Sequence, residues 1–354
     1  MHIVIITDSI DNQKTGIHYY TKNLVLSLLK YDNKNTYTLI HREKNNFYKN
    51  KKNIVINGKG QIYELYRKLF LLPKLINKLK ADIVIEPSHL GPFRIKKPTK
   101  TISVIHDLSN FLYPSCHKLK NNIVHKFFLP QIIKNSDILI TPSETSKKDI
   151  EKIFKRTKNI YILPPAISKP KKDIKRIIKS PYVLFLGTIE PRKNIETLIE
   201  AYKELKNEKK INHTLIIAGK IGWKSKKITK HFDYPSIKYL SYVDKNQKAS
   251  LLKYADLFIF PSIYEGFGIP PLEAISYKTP VITSTGGSLK EIFGETVETF
   301  EAKDKKNLKT LICKHLNNPL IKKKFTEIGP KFAENYYREK IAKKFLKIIN
   351  NIIN

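Results

Sequence analysis

Short apolar runs alternate with stretches of helical period along the whole 354-residue chain. That alternation restricts the fold more than any other feature, because strands separated by helices pair in parallel and need helices on both sheet faces. In the first half, strands are expected at 2–7, 37–41, 54–56, 83–86, 101–105 and 138–141, with helices at 19–29, 63–80, 121–134 and 143–154. A proline pair, Pro164-Pro165, and a lysine-rich connector over 168–180 follow. The pattern then restarts, with strands at 182–187, 214–219, 237–240, 257–260 and 281–283 and helices at 194–206, 245–254 and 271–277. A length near 350 at roughly 150 residues per domain gives about two domains. The expected fold class is therefore α/β with two Rossmann-like domains, 1–170 and 171–335. The tail carries Tyr336, Ile341, Phe345, Ile348, Ile349 and Ile352 at roughly helical spacing.

One nonapeptide concentrates the chemistry. Glu265-Gly266-Phe267-Gly268-Ile269-Pro270-Pro271-Leu272-Glu273 follows the apolar run 257–260, so it is a strand end, a glycine loop and a helix opening at Pro270 or Pro271. A helix N-terminus offers unpaired N–H groups and a partial positive charge, which suit a phosphate. Glu273 is expected in the first helical turn and Glu265 at the strand end. Both carboxylates can then accept hydrogen bonds from hydroxyls around one pocket, and hydroxyls with phosphate describe a nucleotide sugar.

A second strand-turn-helix segment lies upstream. The run 182–186 ends at Gly187, and Thr188-Ile189-Glu190-Pro191-Arg192-Lys193-Asn194 leads into a helix with apolar residues at 195, 198, 199 and 202. Two adjacent cations at a helix entry oppose the helix dipole, so an anionic ligand explains Arg192 and Lys193 better than solvation does.

These two segments resemble the signature of the retaining glycosyltransferases of family 4, the group 1 transferases with the GT-B fold, and most of all their bacterial mannosyltransferase-like members. The resemblance implies two domains facing a central cleft, the first for the acceptor and the second for the nucleotide sugar, with a final helix near 336–354 packing back on the first. It implies that Arg192 and Lys193 hold the donor diphosphate, aided by the backbone of Gly16 and of Gly266, Phe267, Gly268 and Ile269. Glu273 is expected to hold ribose hydroxyls and Glu265 sugar hydroxyls. The segment Tyr239-Leu240-Ser241-Tyr242-Val243-Asp244 resembles the family loop that meets the nucleotide base, with Tyr242 and Val243 as the contact positions. His106, after the strand run 101–105 and before Asp107, matches the family's strand-end histidine beside the sugar. The implied activity moves a hexosyl unit, mannose-like by this resemblance, from a nucleoside-diphosphate sugar to a glycan or lipid-linked acceptor in cell-surface polysaccharide assembly. No metal or other cofactor is expected, since the cationic pair faces the leaving group and no Asp-x-Asp tract lies near.

Two weaker segments complete the reading. Ala218-Gly219-Lys220-Ile221-Gly222-Trp223 ends a strand with glycines, and Thr141-Pro142-Ser143-Glu144-Thr145-Ser146 has helix-capping chemistry. The turn Lys14-Thr15-Gly16 enters the first helix, where a glycine lets a ligand approach the backbone.

The formal charge of +35 is spread over both halves, and 59 of the 66 basic residues are lysines. That spread argues against a nucleic-acid partner, which needs a clustered basic stripe. Residues 51–100 hold twelve basic residues against three acidic ones. There the stretch 62–80 sets Ile62, Leu65, Tyr66, Leu69 and Phe70 opposite a basic face of Arg67, Lys68, Lys74, Lys78 and Lys80, and an anionic membrane surface is a candidate partner. Pro73 is expected to kink or break that helix. No apolar run reaches the ~18 residues of a membrane span, and the chain enters its first strand directly. The expected location is the cytoplasm, peripheral at the inner membrane face. Cys116 and Cys313 show no paired spacing, against a disulfide framework or a zinc site. The competing readings are a nucleotide-sugar epimerase of the same fold and a basic nucleic-acid-binding protein.

Overall fold

The central strands alternate their side chains between two buried layers, which is why their apolar runs are continuous rather than every second residue. Ile3 and Ile5 of strand β1 (His2–Ile6) enter one core cluster, Val4 and Ile6 the other. The computed structural model describes residues 1–11, 16–43, 52–58 and 60–353. The chain divides into two units, one of residues 1–111, 119–166 and 338–354, the other of residues 112–118 and 167–337.

In the first unit β1 is joined by β2 (Thr36–His41), β3 (Lys52–Val55), β4 (Ile83–Glu86), β5 (Lys100–Val104), β6 (Ile138–Thr141) and β7 (Ile160–Ile162). All pairings are parallel, in the order β3-β2-β1-β4-β5-β6-β7. Helix Arg338–Ile353 lays Ile341, Phe345, Ile348 and Ile349 against Tyr20, Leu24, Val25 and Leu28 of helix Gly16–Tyr31. Their i, i+4, i+7, i+8 spacing is one helix face.

The second unit has β8 (Tyr182–Leu186), β9 (Thr214–Ala218), β10 (Ile237–Leu240), β11 (Leu257–Phe260), β12 (Val281–Ser284) and β13 (Glu298–Phe300), parallel in the order β10-β9-β8-β11-β12-β13. Both sheets thus have a topological switch point, β1/β4 in one and β8/β11 in the other. Open α/β sheets bind ligands there, at the carboxyl ends of the strands.

The units differ from the sequence expectation in three ways. Their boundary lies at Ala166/Ile167 rather than 170/171. Residues 112–118 belong to the second unit: Trp223 donates its indole N–H to the Cys116 carbonyl at 2.6 Å, Lys224 reaches the Ser115 carbonyl at 2.7 Å, and the Tyr113 and Tyr264 rings lie 5.3 Å apart. The expected basic face of 62–80 also needs correction. Arg67 is fully buried, forking onto Asp8 at 2.5 and 2.9 Å and donating to the carbonyls of Ile56 and His41. Lys68 turns to the Leu90 carbonyl at 3.2 Å and to Glu86 at 4.0 Å. The outward stripe is instead apolar, with Ile62 at 88% and Tyr66 at 50% exposure beside Leu65 and Phe70. Pro73 does not break this helical run. A π-helical turn, Arg67–Leu71, precedes helix Leu72–Leu79, in which Pro73 takes a first-turn position where no N–H is required.

Candidate functional site

The second unit's switch point gathers the residues of both sequence segments. After β8 the chain runs through Gly187 to a 3₁₀ turn, Pro191–Lys193, whose last carbonyls lead through Asn194, at φ 52°, into helix Ile195–Asn207. After β11 the loop Pro261-Ser262-Ile263-Tyr264-Glu265 lies beside that turn. Ile263 N–H donates to the Arg192 carbonyl at 2.8 Å, Arg192 Nη1 to the Tyr264 carbonyl at 2.8 Å, and Asn194 to the Pro261 carbonyl at 3.1 Å. Two loops separated by some 70 residues are thereby fixed as one surface.

Four charges meet on it. Glu265 sets one carboxylate oxygen 2.9 Å from Arg192 Nη1 and the other 2.6 Å from Lys193 Nζ, while Glu190 holds Arg192 Nη2 at 2.9 Å. Lys193 also lies over the Phe260 ring, 4.9 Å from its centre. Burial by itself would raise the Glu265 carboxyl, but Arg192 and Lys193 outweigh it and hold Glu265 below the usual carboxylate range. Burial pushes Glu190 up despite Arg192 beside it. Two cations and two carboxylates cancel, so the site carries no net charge of its own. Glu190 is the partner that the sequence reading did not assign, although its place two residues before Arg192 across a tight turn is a usable signal.

The glycine loop then aims a helix end at this surface. Gly268, at φ 99°, caps helix Ile269–Ser276, and Pro270 and Pro271 fill the first turn. The helix opens one residue earlier than expected, which moves Glu273 into the second turn. Glu273 pairs with Lys248 of helix Lys245–Tyr254 at 2.6 Å, so the two glutamates stand in separate ion pairs. Phe267 is buried against Phe293 and Tyr336. The Glu265 backbone is pinned by Ser288, whose N–H and hydroxyl donate to its carbonyl at 2.9 and 3.1 Å. Gly287, at φ 64°, permits this approach, since a Cβ there would meet the Glu265 carbonyl oxygen at 2.4 Å.

On the β9/β10 side, Gly219 N–H donates to the Leu240 and Ser241 carbonyls. Tyr242 is 36% exposed with Lys220 over its ring at 5.5 Å, and Val243 is partly buried just before Asp244, which caps helix Lys245–Tyr254 through a reciprocal bond with Gln247. A backbone loop with an exposed aromatic beside a lysine can receive a planar base and a phosphate.

In the first unit Gly16 opens helix Gly16–Tyr31, and among the described residues none outside its own helix turn and chain neighbours lies within 4 Å of where its Cβ would be. Lys14 and Thr15 of that turn lie outside the described residues. His106 follows β5, with its ring 4.6 Å from Tyr20 and 5.0 Å from His89. Ser143 caps helix Glu144–Phe154 by accepting from Ser146 N–H, and Ser146 in turn reaches His106. Among the described residues no group of three or more His, Cys, Asp or Glu is placed to hold a metal ion, and no helix is long and apolar enough to cross a membrane.

Residues 167–332, nearly all of the second unit, match the family model of the glycosyl transferases group 1, so this segment is similar to that family. Among curated proteins it is 29% identical over 225 residues to the O-antigen chain mannosyltransferase B of Escherichia coli, covering 59% of this chain and 58% of that protein. The match thus spans under three fifths of that relative's length. Sucrose-phosphate synthase from Thermosynechococcus elongatus superposes with a TM-score of 0.79 at 16% identity, covering 100% of this chain and 99% of that one. Anabaena HepE, solved in complex with UDP and glucose, gives 0.75 at 14% identity over 99% and 100%. At these identities the solved structures speak for the fold alone, which is GT-B, built of two Rossmann-like units.

Proposed function

We propose that the protein is a retaining glycosyltransferase that moves a hexosyl unit, mannose by preference, from a nucleoside-diphosphate sugar to a glycan or lipid-linked acceptor in cell-surface polysaccharide assembly. The observation that carries this reading is the Arg192–Lys193–Glu265 cluster beside the N-terminus of helix Ile269–Ser276. The mannosyl preference and the polysaccharide setting are supported by the O-antigen relative. The nucleotide diphosphate is supported by the UDP complex of HepE.

The chemistry follows from where charge develops. The bond between the anomeric carbon and the phosphate oxygen breaks, positive charge grows on the sugar and negative charge on the departing diphosphate. Arg192, Lys193 and the N–H groups of Phe267, Gly268 and Ile269 stabilise the leaving group without a metal. Glu265 leaves its cations as the diphosphate arrives and turns to the sugar, where it stabilises oxocarbenium character. Glu273, steadied by Lys248, holds the ribose, and Tyr242 and Val243 meet the base. The acceptor oxygen bonds to the anomeric carbon on the face the phosphate leaves, and its proton passes to the leaving phosphate oxygen.

The test is release of free nucleoside diphosphate from a panel of UDP- and GDP-sugars with lipid-linked and oligosaccharide acceptors, read with and without a chelator. Transfer with retained anomeric configuration and no loss on chelation is expected. Lys193→Ala should slow it by about 10²–10³-fold, the scale of one preorganised transition-state donor. Formation of an epimeric nucleotide sugar, full turnover in folded Lys193→Ala, or activity that requires added Mg²⁺ or Mn²⁺ would each overturn the part it concerns.

A further inference from the structure

A cavity of about 1070 Å³ opens in the first unit at the amino ends of β5, β6 and β7. That is the end of the sheet opposite to the carboxyl ends, where open α/β sheets take their ligands. Pro130, Ile133, Ile138, Phe154 and Tyr161 give it an apolar lining, buried or half-buried. Four exposed lysines share the same cavity: Lys100 at the start of β5, Lys134 in the last turn of helix Leu119–Asn135, and Lys155 and Lys158 in the turn after helix Glu144–Phe154.

Two kinds of group in the protein could account for these cations, and both are already satisfied. Asp137, the one carboxylate among the described lining residues, pairs through one oxygen with Lys97 and accepts on the other from the N–H and the hydroxyl of Thr101, each at 2.8 Å. The carbonyls ending helix Leu119–Asn135 favour a cation nearby, but the Arg156 guanidinium meets them. It donates to the Ile133 carbonyl, to that of Ser136 at 2.7 Å and to that of Asp137 at 3.2 Å. Its Nε reaches the Lys158 carbonyl at 3.2 Å and closes the turn on itself, with Lys155 and Asn159 at φ 55° and 56°. Among the described residues none of the four lysines has an acidic partner.

The shape and the remaining lining define what the anion is attached to. A bilayer needs a flat or protruding surface and nucleic acid a continuous basic stripe, whereas this site is concave and bounded. A lone phosphate would leave the apolar side chains uncovered, since cavities of this size take ligands of several rings. Asn135, Thr157, Asn159 and Asn351 add exposed amides and a hydroxyl that can bond sugar hydroxyls, and Tyr161 offers a ring to a sugar face.

We propose that this cavity binds an anionic oligosaccharide, its acidic groups on Lys100, Lys134, Lys155 and Lys158 and its hydroxyls on the amides. The need for an anion follows from the lysines; that the carrier is a glycan rests also on the glycosyl-transfer reading. Held at the amino ends of the strands, such a glycan is retained rather than presented for reaction. Calorimetric titration of the full chain at low salt tests this without turnover, so its outcome is separate from that of the transfer reaction. An oligogalacturonate and a phosphorylated oligomannose carry the two anions, the methyl-esterified oligogalacturonate is the neutral counterpart, and tripolyphosphate is the bare anion. At least one acidic saccharide should bind, the ester at least about tenfold more weakly, and binding should fall as salt screens the lysines. The chain carrying Lys100→Gln, Lys134→Gln and Lys158→Gln together should lose about tenfold, the scale of three exposed charges. Those lysines are exposed, so the variant should melt as the wild type does, and Lys193→Ala should bind the acidic saccharide unchanged. Equal binding of ester and acid, tripolyphosphate binding as tightly as the saccharides, full binding by the triple variant, loss of binding in folded Lys193→Ala, or no saccharide binding at low salt would each overturn the proposal.

Discussion

Glu265→Gln separates a counter-charge from a sugar ligand. In the free protein both oxygens of this buried carboxylate are committed, at 2.9 Å to Arg192 and 2.6 Å to Lys193. Removing one partner of a buried ion pair costs about 3–5 kcal/mol. Glu190 remains on Arg192 at 2.9 Å, so the lower end, about 3 kcal/mol, is expected for the second unit. The same change helps an incoming diphosphate. A phosphate oxygen held by the two cations would stand some 5 Å from the carboxylate, and two like charges at that distance repel by about 3 kcal/mol at an effective dielectric constant of 20. Losing that repulsion should tighten nucleoside diphosphate binding by roughly 10²-fold while transfer slows. Calorimetric titration of UDP and GDP into both proteins, with melting curves alongside, is the assay. The variant should melt lower alone and gain more from the ligand than the wild type does. A folded variant that binds both diphosphates no more tightly than wild type would refute the view that Glu265 neutralises the clamp.

Acid should destabilise the first unit before its carboxylates titrate. His89, His106 and His125 have pKa values pushed below the ordinary imidazole value by burial. The unfolded chain then binds more protons, so stability present above about pH 6.5 is lost as pH falls below it, by up to about 1.4 kcal/mol per pH unit for each ring. Urea midpoints from pH 8 to 5 should show this, and a flat profile would contradict it. The apolar stripe of Ile62, Leu65, Tyr66 and Phe70, flanked by the exposed Lys74 and Lys78, should carry the protein onto anionic liposomes. Replacing Ile62, Tyr66 and Phe70 by Ser should abolish sedimentation, Lys74 and Lys78 by Gln should weaken it in a salt-dependent way, and no binding at low salt would dismiss the surface.

The sheets were legible because a parallel strand buried on both faces leaves a continuous apolar run. Strands β7 and β13, only three residues each, left too short a run to separate from loop. Helices Lys305–Asn317 and Pro319–Glu334 were missed for a different reason. Their apolar residues are diluted by lysines on a wide solvent face, so the helical period is weak against the basic background. Arg67 shows the converse error. By type and spacing it belongs with the lysines, yet it is buried because Asp8, two residues beyond β1, supplies a carboxylate that sequence distance hides.

At the candidate site, what depended on local order could be read and what depended on register could not. Arg192, Lys193 and Glu265 stand out in the sequence because each lies in the loop that follows a strand, where the chain must turn and backbone groups are exposed. Their mutual pairing was not foreseen, because it requires β8 and β11 to be neighbours, a property of sheet order. Lys248 on Glu273 comes from a different helix and has no sequence mark beyond its charge. These unforeseen pairs change the physics. A pair of cations facing solvent would attract any anion, sulfate or nucleic acid included. The same pair closed by Glu265 and Glu190 is electrically neutral and admits only a ligand that can displace a carboxylate by meeting both cations at once, as adjacent phosphates can. On the proposed function, selectivity for a diphosphate would arise from the counter-charge as much as from the cations, and that half of the site is written in the strand order.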